Sequence, residues 1–89
     1  MPTIHRARGF RFVIYFNDHM PVHVHAIAGP EMARITLEDP DGDTVIEFAT
    51  DGISPRELRW LRKEVADHRD KIFWEWSRIH GDRNQEETD

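Results

Sequence analysis

Phe10-Arg11-Phe12-Val13-Ile14-Tyr15-Phe16 decides the fold of this chain. Aromatic and β-branched residues in an unbroken run belong to a strand. Successive strand side chains alternate sides, so Phe10, Phe12, Ile14 and Phe16 share one face while Arg11, Val13 and Tyr15 share the other. A sheet with one apolar face and one mixed face needs a covering layer on the apolar side only. Working outward, Asn17-Asp18 turns the chain, Val22 to Ala28 forms the next strand, Gly29-Pro30 punctuates, and Met32 to Glu38 alternates as a third strand. In Asp39-Pro40-Asp41-Gly42-Asp43, proline presets the first turn torsion and glycine accepts a positive φ, which returns Thr44 to Thr50 as an antiparallel partner. The leading segment, Thr3 to Arg6, is set apart by Gly9 and is not counted as a strand.

Ser54-Pro55-Arg56-Glu57 then opens a helix: serine as N-cap, proline at the first helical position and Glu57 closing a capping box. The helix is predicted to run unbroken to about Ile79 or His80, with Gly81 as its stop. At 100° per residue Leu58, Leu61, Val65, Ile72, Trp76 and Ile79 form one stripe. Its counterpart on the sheet is Phe10, Phe12, Ile14, Phe16, Val22, Val24, Ala26, Ala33, Ile35, Leu37, Ile46 and Phe48. The predicted fold is therefore α+β: an antiparallel β-meander of about four strands with one long C-terminal α-helix packed on one face.

Composition narrows the function classes. Eighty-nine residues without cysteine make one small domain and exclude a disulfide framework, thiolate metal sites and a cysteine nucleophile. No apolar run reaches membrane-spanning length and the amino terminus has no apolar signal core, so a cytoplasmic protein is expected. The net charge of −5 is unevenly placed. Asp82, Glu86, Glu87 and Asp89 against Arg83 give −3 for the last eight residues, leaving −2 for residues 1–81. The domain is predicted to span residues 1–81, followed by a disordered acidic tail over 82–89.

Three of the six histidines fall in Asn17-Asp18-His19-Met20-Pro21-Val22-His23-Val24-His25. His23 and His25 share the sheet face opposite the helix with Arg11, Val13, Tyr15, Ile27, Arg34, Thr36, Glu38, Val45 and Glu47. Two imidazoles beside Arg11, Arg34 and Tyr15 supply the parts of phosphodiester cleavage in RNA: a base, an acid and a cation for the phosphate. These five are the candidate catalytic residues, acting without a cofactor; binding is favoured over catalysis, so the chain reads first as an interaction module and the RNA-directed nuclease is the alternative. The same imidazoles could instead bind zinc or nickel, with His19 as third ligand; Arg11 and Arg34 oppose a cation there unless Glu38 or Glu47 intervenes. His68 reads as a hydrogen-bonded core residue, and His5 and His80 lack a supporting constellation.

Opposite the buried helix stripe lie Arg56, Trp60, Lys63, Asp67, Lys71, Trp74 and Arg78. Outward tryptophans among cations can dock a protein or stack on bases. Trp60, Trp74, Arg56 and Lys63 are the candidate partner-binding residues, a protein partner or self-association being favoured over RNA because Asp67, Asp70 and the acidic tail dilute the positive field.

Met-Pro-Thr-Ile at the start, Gly-Phe-Arg-Phe-x-Ile-Tyr from Gly9, Asn17-Asp18-His19-x-Pro21-x-His23-Val24-His25 and Ser54-Pro55-x-Glu57-Leu58 occur in the order seen in a small bacterial family. Over residues 1–80 the chain resembles the family called domain of unknown function 4160, departing from it at Met20-Pro21-Val22, where a double proline is usual. The resemblance implies one half of a toxin-antitoxin-like pair with a small antitoxin-like partner.

Overall fold

Arg8 and Gly9 take positive φ, 52° and 81°, and fold β1 (Thr3–Ala7) back on β2 (Phe10–Val13) in a two-residue hairpin. A loop with both residues at positive φ follows the right-handed twist of the strands it joins, and glycine takes that conformation without strain. The leading segment is thus a fifth strand rather than an unpaired arm. The computed structural model describes residues 3–37 and 42–88, with side chains up to Gly81. Glu38 and the acidic turn Asp39–Asp41 lie outside the described residues. β3 (His23–Ala28), β4 (Glu31–Leu37) and β5 (Thr44–Ala49) complete an antiparallel sheet in the order β1-β2-β3-β4-β5. Gly29, φ 58°, turns β3 into β4.

The apolar face forms as the alternation requires. Phe12, Ile14, Val24, Ala26, Ala33, Ile35 and Leu37 are buried together with Leu61, Val65, Ile72 and Trp76 of the helices. Two expected core residues are not there. Phe16 lies beyond the end of β2 and is 64% exposed. Phe48 is 51% exposed because β5 carries a bulge: Arg34 pairs with Phe48 and Ile35 with Ile46, so Glu47 is an extra residue. One inserted residue inverts the alternation beyond it. Ala49 takes the core position, and Phe48 moves to the face of His25 and Arg34.

The helix begins as its sequence dictates. Ser54 Oγ accepts from Glu57 N–H at 3.1 Å and Glu57 Oε1 from Ser54 N–H at 2.9 Å, a complete capping box. It is not one helix, however. α1 (Pro55–Asp67) and α2 (Arg69–Thr88) meet at His68, whose φ of −113° and ψ of 19° leave the helical region. His68 Nδ1 lies 2.9 Å from the Glu64 carbonyl, where its own amide also donates at 3.2 Å. A side chain competing for the i−4 carbonyl disturbs the ladder at that turn. The stripe keeps its phase across the break, since Leu61, Val65, Ile72 and Trp76 are all buried. α2 continues through Gly81 to Thr88, so the glycine stop expected there is not used, and helical backbone is assigned over most of the acidic segment. α1 packs on β4 and β5. No helix among the described residues is long and apolar enough to cross a membrane.

Candidate functional site

The loop between β2 and β3 closes on itself. The Asp18 amide donates to the Tyr15 carbonyl at 3.1 Å, and Asp18 Oδ2 accepts from the Tyr15 amide at 2.9 Å. This reciprocal pair turns the Asp18 carboxylate back over the start of β3. The Leu37 amide donates to Val22 O at 2.9 Å and fixes the other end of the loop, beside the cis peptide bond Met20–Pro21.

Three groups converge there. His23 Nε2 stands 3.4 Å from Asp18 Oδ1, and His25 Nδ1 stands 4.0 Å from Asp18 Oδ2. One ligand atom from each of Asp18, His23 and His25 lies within 4.8 Å of the others. Their side chains are 13%, 4% and 15% exposed respectively. Polar groups withdrawn from water this far need partners, yet His25 Nδ1 is buried without one.

His23 Nδ1 is 2.8 Å from the Pro21 carbonyl, which can only accept, so Nδ1 carries a proton and Nε2 is the ring nitrogen turned toward Asp18. His25 Nδ1 is the ring nitrogen turned toward Asp18. Burial pushes the His25 imidazole below the ordinary histidine value, the charges of His23 and Arg34 add to that, and Asp18 and the Val13 hydrogen bond oppose it. The ring is therefore neutral at neutral pH.

Around this trio the sheet register places the other candidates. His25 pairs with Val13 on one side and with Arg34 on the other, and Arg34 pairs with Phe48. The Tyr15 ring meets His25 edge-on, centroids 4.9 Å apart. Arg11 pairs with Ile27, two residues along β3 from His25, and with Arg6 on β1. Arg34 Nε and Thr36 Oγ1 are also buried without partners. His19 is exposed and stands outside the trio, whose third member is Asp18. Asp18 was legible in the sequence only as a turn residue, though its place five residues before His23, where the histidine-bearing strand begins, was the available signal.

A second cluster, His5, Glu64 and His68, behaves differently. His5 Nε2 reaches Glu64 Oε2 at 2.7 Å, a direct hydrogen bond, and the His5 and His68 rings lie tilted against each other with centroids 4.3 Å apart. This cluster satisfies itself and ties β1 to the helix junction. His5 and His80 thus both have surroundings that the sequence did not disclose: His80 is buried against Trp76, ring centroids 4.3 Å apart.

The candidate partner stripe divides. Trp60 is not outward: its ring packs 6.0 Å from Phe10 and 6.5 Å from Phe12, with the Arg8 guanidinium 4.9 Å above it. The β1–β2 hairpin covers the side of α1 that a lone helix on a sheet would expose. Trp74 is 63% exposed, with Arg78 over its ring at 5.8 Å. Arg56 is exposed at the start of α1. Lys63 pairs with Asp67 at 2.7 Å and borders an open cleft with Thr44, Arg59, Arg62 and Arg69, which shares no residue with the histidine trio.

A five-stranded antiparallel sheet backed by a helical layer, with a buried aspartate–histidine centre at one end of its open face, defines a small α+β domain built around a polar site. The chain belongs to the family described as Domain of unknown function (DUF4160), whose model matches residues 9–77 and so spans Asp18, His23, His25 and Trp76. No curated protein and no solved structure matches the chain.

Proposed function

We propose that this protein is the effector half of a toxin-antitoxin-like pair and that it acts on single-stranded RNA laid across the open sheet face. The observation that carries this reading is the row His25, Arg34, Phe48 across three neighbouring strands. Strands lie about 4.8 Å apart, so an exposed aromatic stands roughly 10 Å from the histidine centre with a guanidinium between them. Unpaired bases stack on such rings, and cations track the backbone. Arg6, Arg11 and Arg34 share this face with Glu47 as its carboxylate among the described residues outside the Asp18 centre, whereas Glu57, Glu64, Asp67, Asp70 and Glu75 belong to the helices. Three arginines against one described carboxylate give this face the charge that a polyanion would meet.

Fluorescence anisotropy with a short single-stranded RNA tests this. Binding should weaken with salt with a logarithmic slope near −2, about 0.7 for each of three arginine contacts. Arg6→Gln should lower the slope by about one contact. Absence of binding at low salt, or equal binding of a duplex, overturns the reading.

The interaction module that the sequence suggested keeps one specific support, the exposed Trp74 with Arg78 stacked on it; Trp and Arg anchors of this kind are favoured at protein interfaces. We assign this helix surface to the antitoxin-like partner, on the layer away from the RNA face.

A further inference from the structure

We propose that Asp18, His23 and His25 form a binding site for one divalent first-row metal such as zinc or nickel, which deepens the reading above by naming what the RNA-directed centre works with. Three possible ligand atoms face one another here, each within 4.8 Å of the others. Asp18 Oδ1 stands 3.4 Å from Nε2 of His23, and Asp18 Oδ2 stands 4.0 Å from Nδ1 of His25, which is buried without a hydrogen-bond partner. Both distances exceed what a hydrogen bond to either nitrogen would set. Ligand bonds of about 2.1 Å meeting near the tetrahedral angle hold their donor atoms about 3.4 Å apart, so a single cation fits among these atoms with shifts under about 1 Å. A cation would give the Asp18 carboxylate and the two ring nitrogens turned toward it one shared partner.

The outer contact of His23 is that of a ligating histidine: its Nδ1–H donates to the Pro21 carbonyl at 2.8 Å and leaves Nε2 toward Asp18. Asp18 is fixed by the Tyr15 amide at 2.9 Å. Such contacts orient metal ligands and select the tautomer. Two imidazoles and one carboxylate on one side of a metal leave positions open for water or a substrate oxygen. Arg34 lies one cross-strand pair away, where it can hold a phosphate rather than compete for the ligands. The His5–Glu64–His68 cluster is the internal contrast, because its closest pair is already joined by a 2.7 Å hydrogen bond.

Untagged protein, stripped with chelator and dialysed, is titrated with Zn2+ by calorimetry, and with Co2+ by visible absorption, which reports ligand number. One equivalent of saturable binding is expected, with affinity lowered by more than about 100-fold in Asp18→Asn and His25→Ala, beyond the range that outer contacts alone reach. His19→Ala and His68→Ala should bind as the parent does. Asp18→Asn keeps the shape of the side chain, and circular dichroism of each variant separates lost ligation from lost folding. No saturable binding, or folded Asp18→Asn and His25→Ala binding as tightly as the parent, overturns the site. RNA anisotropy run with and without chelator keeps the two readings apart: zinc binding without RNA binding removes the substrate and leaves the metal site, and RNA binding without zinc binding does the reverse.

Discussion

The ring of Trp76, on α2, stands 5.4 Å from the ring of His23, on β3. Trp76 is 4% exposed and sits between two imidazoles, His23 on one side and His80, at 4.3 Å, on the other. The second helix therefore reaches the candidate centre from behind, and the orientation of His23 depends on a residue of the core stripe as much as on its own strand.

Trp76→Ala is expected to cost about 3–5 kcal/mol, the range for emptying a buried aromatic site, read by urea denaturation. Trp76→Phe should recover most of that loss yet still loosen His23, weakening zinc binding while folding is retained. Equal zinc affinity in folded Trp76→Phe would mean that the tryptophan only fills space.

The core was readable because period-2 alternation in β2 to β4 and the helical stripe agree on one layer, and the capping box at Ser54 is purely local. The rest depended on non-local facts. The strand character of Thr3–Ala7 appears only once Arg8 and Gly9 turn it onto β2, and the same hairpin hides Trp60. The break at His68 contains no glycine or proline and leaves the stripe in phase, so periodicity is blind to it. The bulge at Glu47 is invisible in a strand whose residues all suit a sheet, and it moved Phe48 from core to site face. His23 and His25 were legible as a pair; Asp18 joined them through a loop closure that spacing alone does not reveal.

Trp60 and Trp74 should part company under mutation. Trp60 packs on Phe10 and Phe12, so Trp60→Ala is expected to cost about 2 kcal/mol or more through a vacated contact surface. Trp74→Ala should stay within about 0.5 kcal/mol, as exposed positions do, and instead reduce capture of the antitoxin-like partner. Paired denaturation curves check this; equal losses at the two sites would refute the division of the stripe.

Phe48→Ala removes an exposed ring and should change stability by no more than about 0.5 kcal/mol. RNA affinity should fall by about 1–3 kcal/mol, the range for one stacked base, with Trp74→Ala as an RNA-neutral control. If Phe48→Ala leaves RNA affinity unchanged while the parent binds, the strand follows another track.

His25 gives the metal-free protein a defined response to acid. Burial holds its imidazole below the ordinary value of about 6.5, with Asp18, His23, Arg34 and Tyr15 as the groups that face it. Above pH 6.5 the ring is neutral folded and unfolded, and folding does not depend on it. As pH falls below 6.5 the unfolded chain takes up a proton that the folded chain still refuses, so the unfolded state binds more protons and stability must drop with pH. The loss proceeds through the window beneath 6.5 and levels off once the folded ring is protonated too. Denaturation in the presence of chelator at pH 7.5, 6.5 and 5.5 should therefore show a steeper decline for the parent than for His25→Gln, which has nothing to protonate at that position. Added zinc should raise parent stability at pH 7.5 and lose that effect as the pH falls and protons compete for the ligands. Parallel pH profiles for the parent and His25→Gln would show that the buried ring exchanges its proton without opposition from the fold.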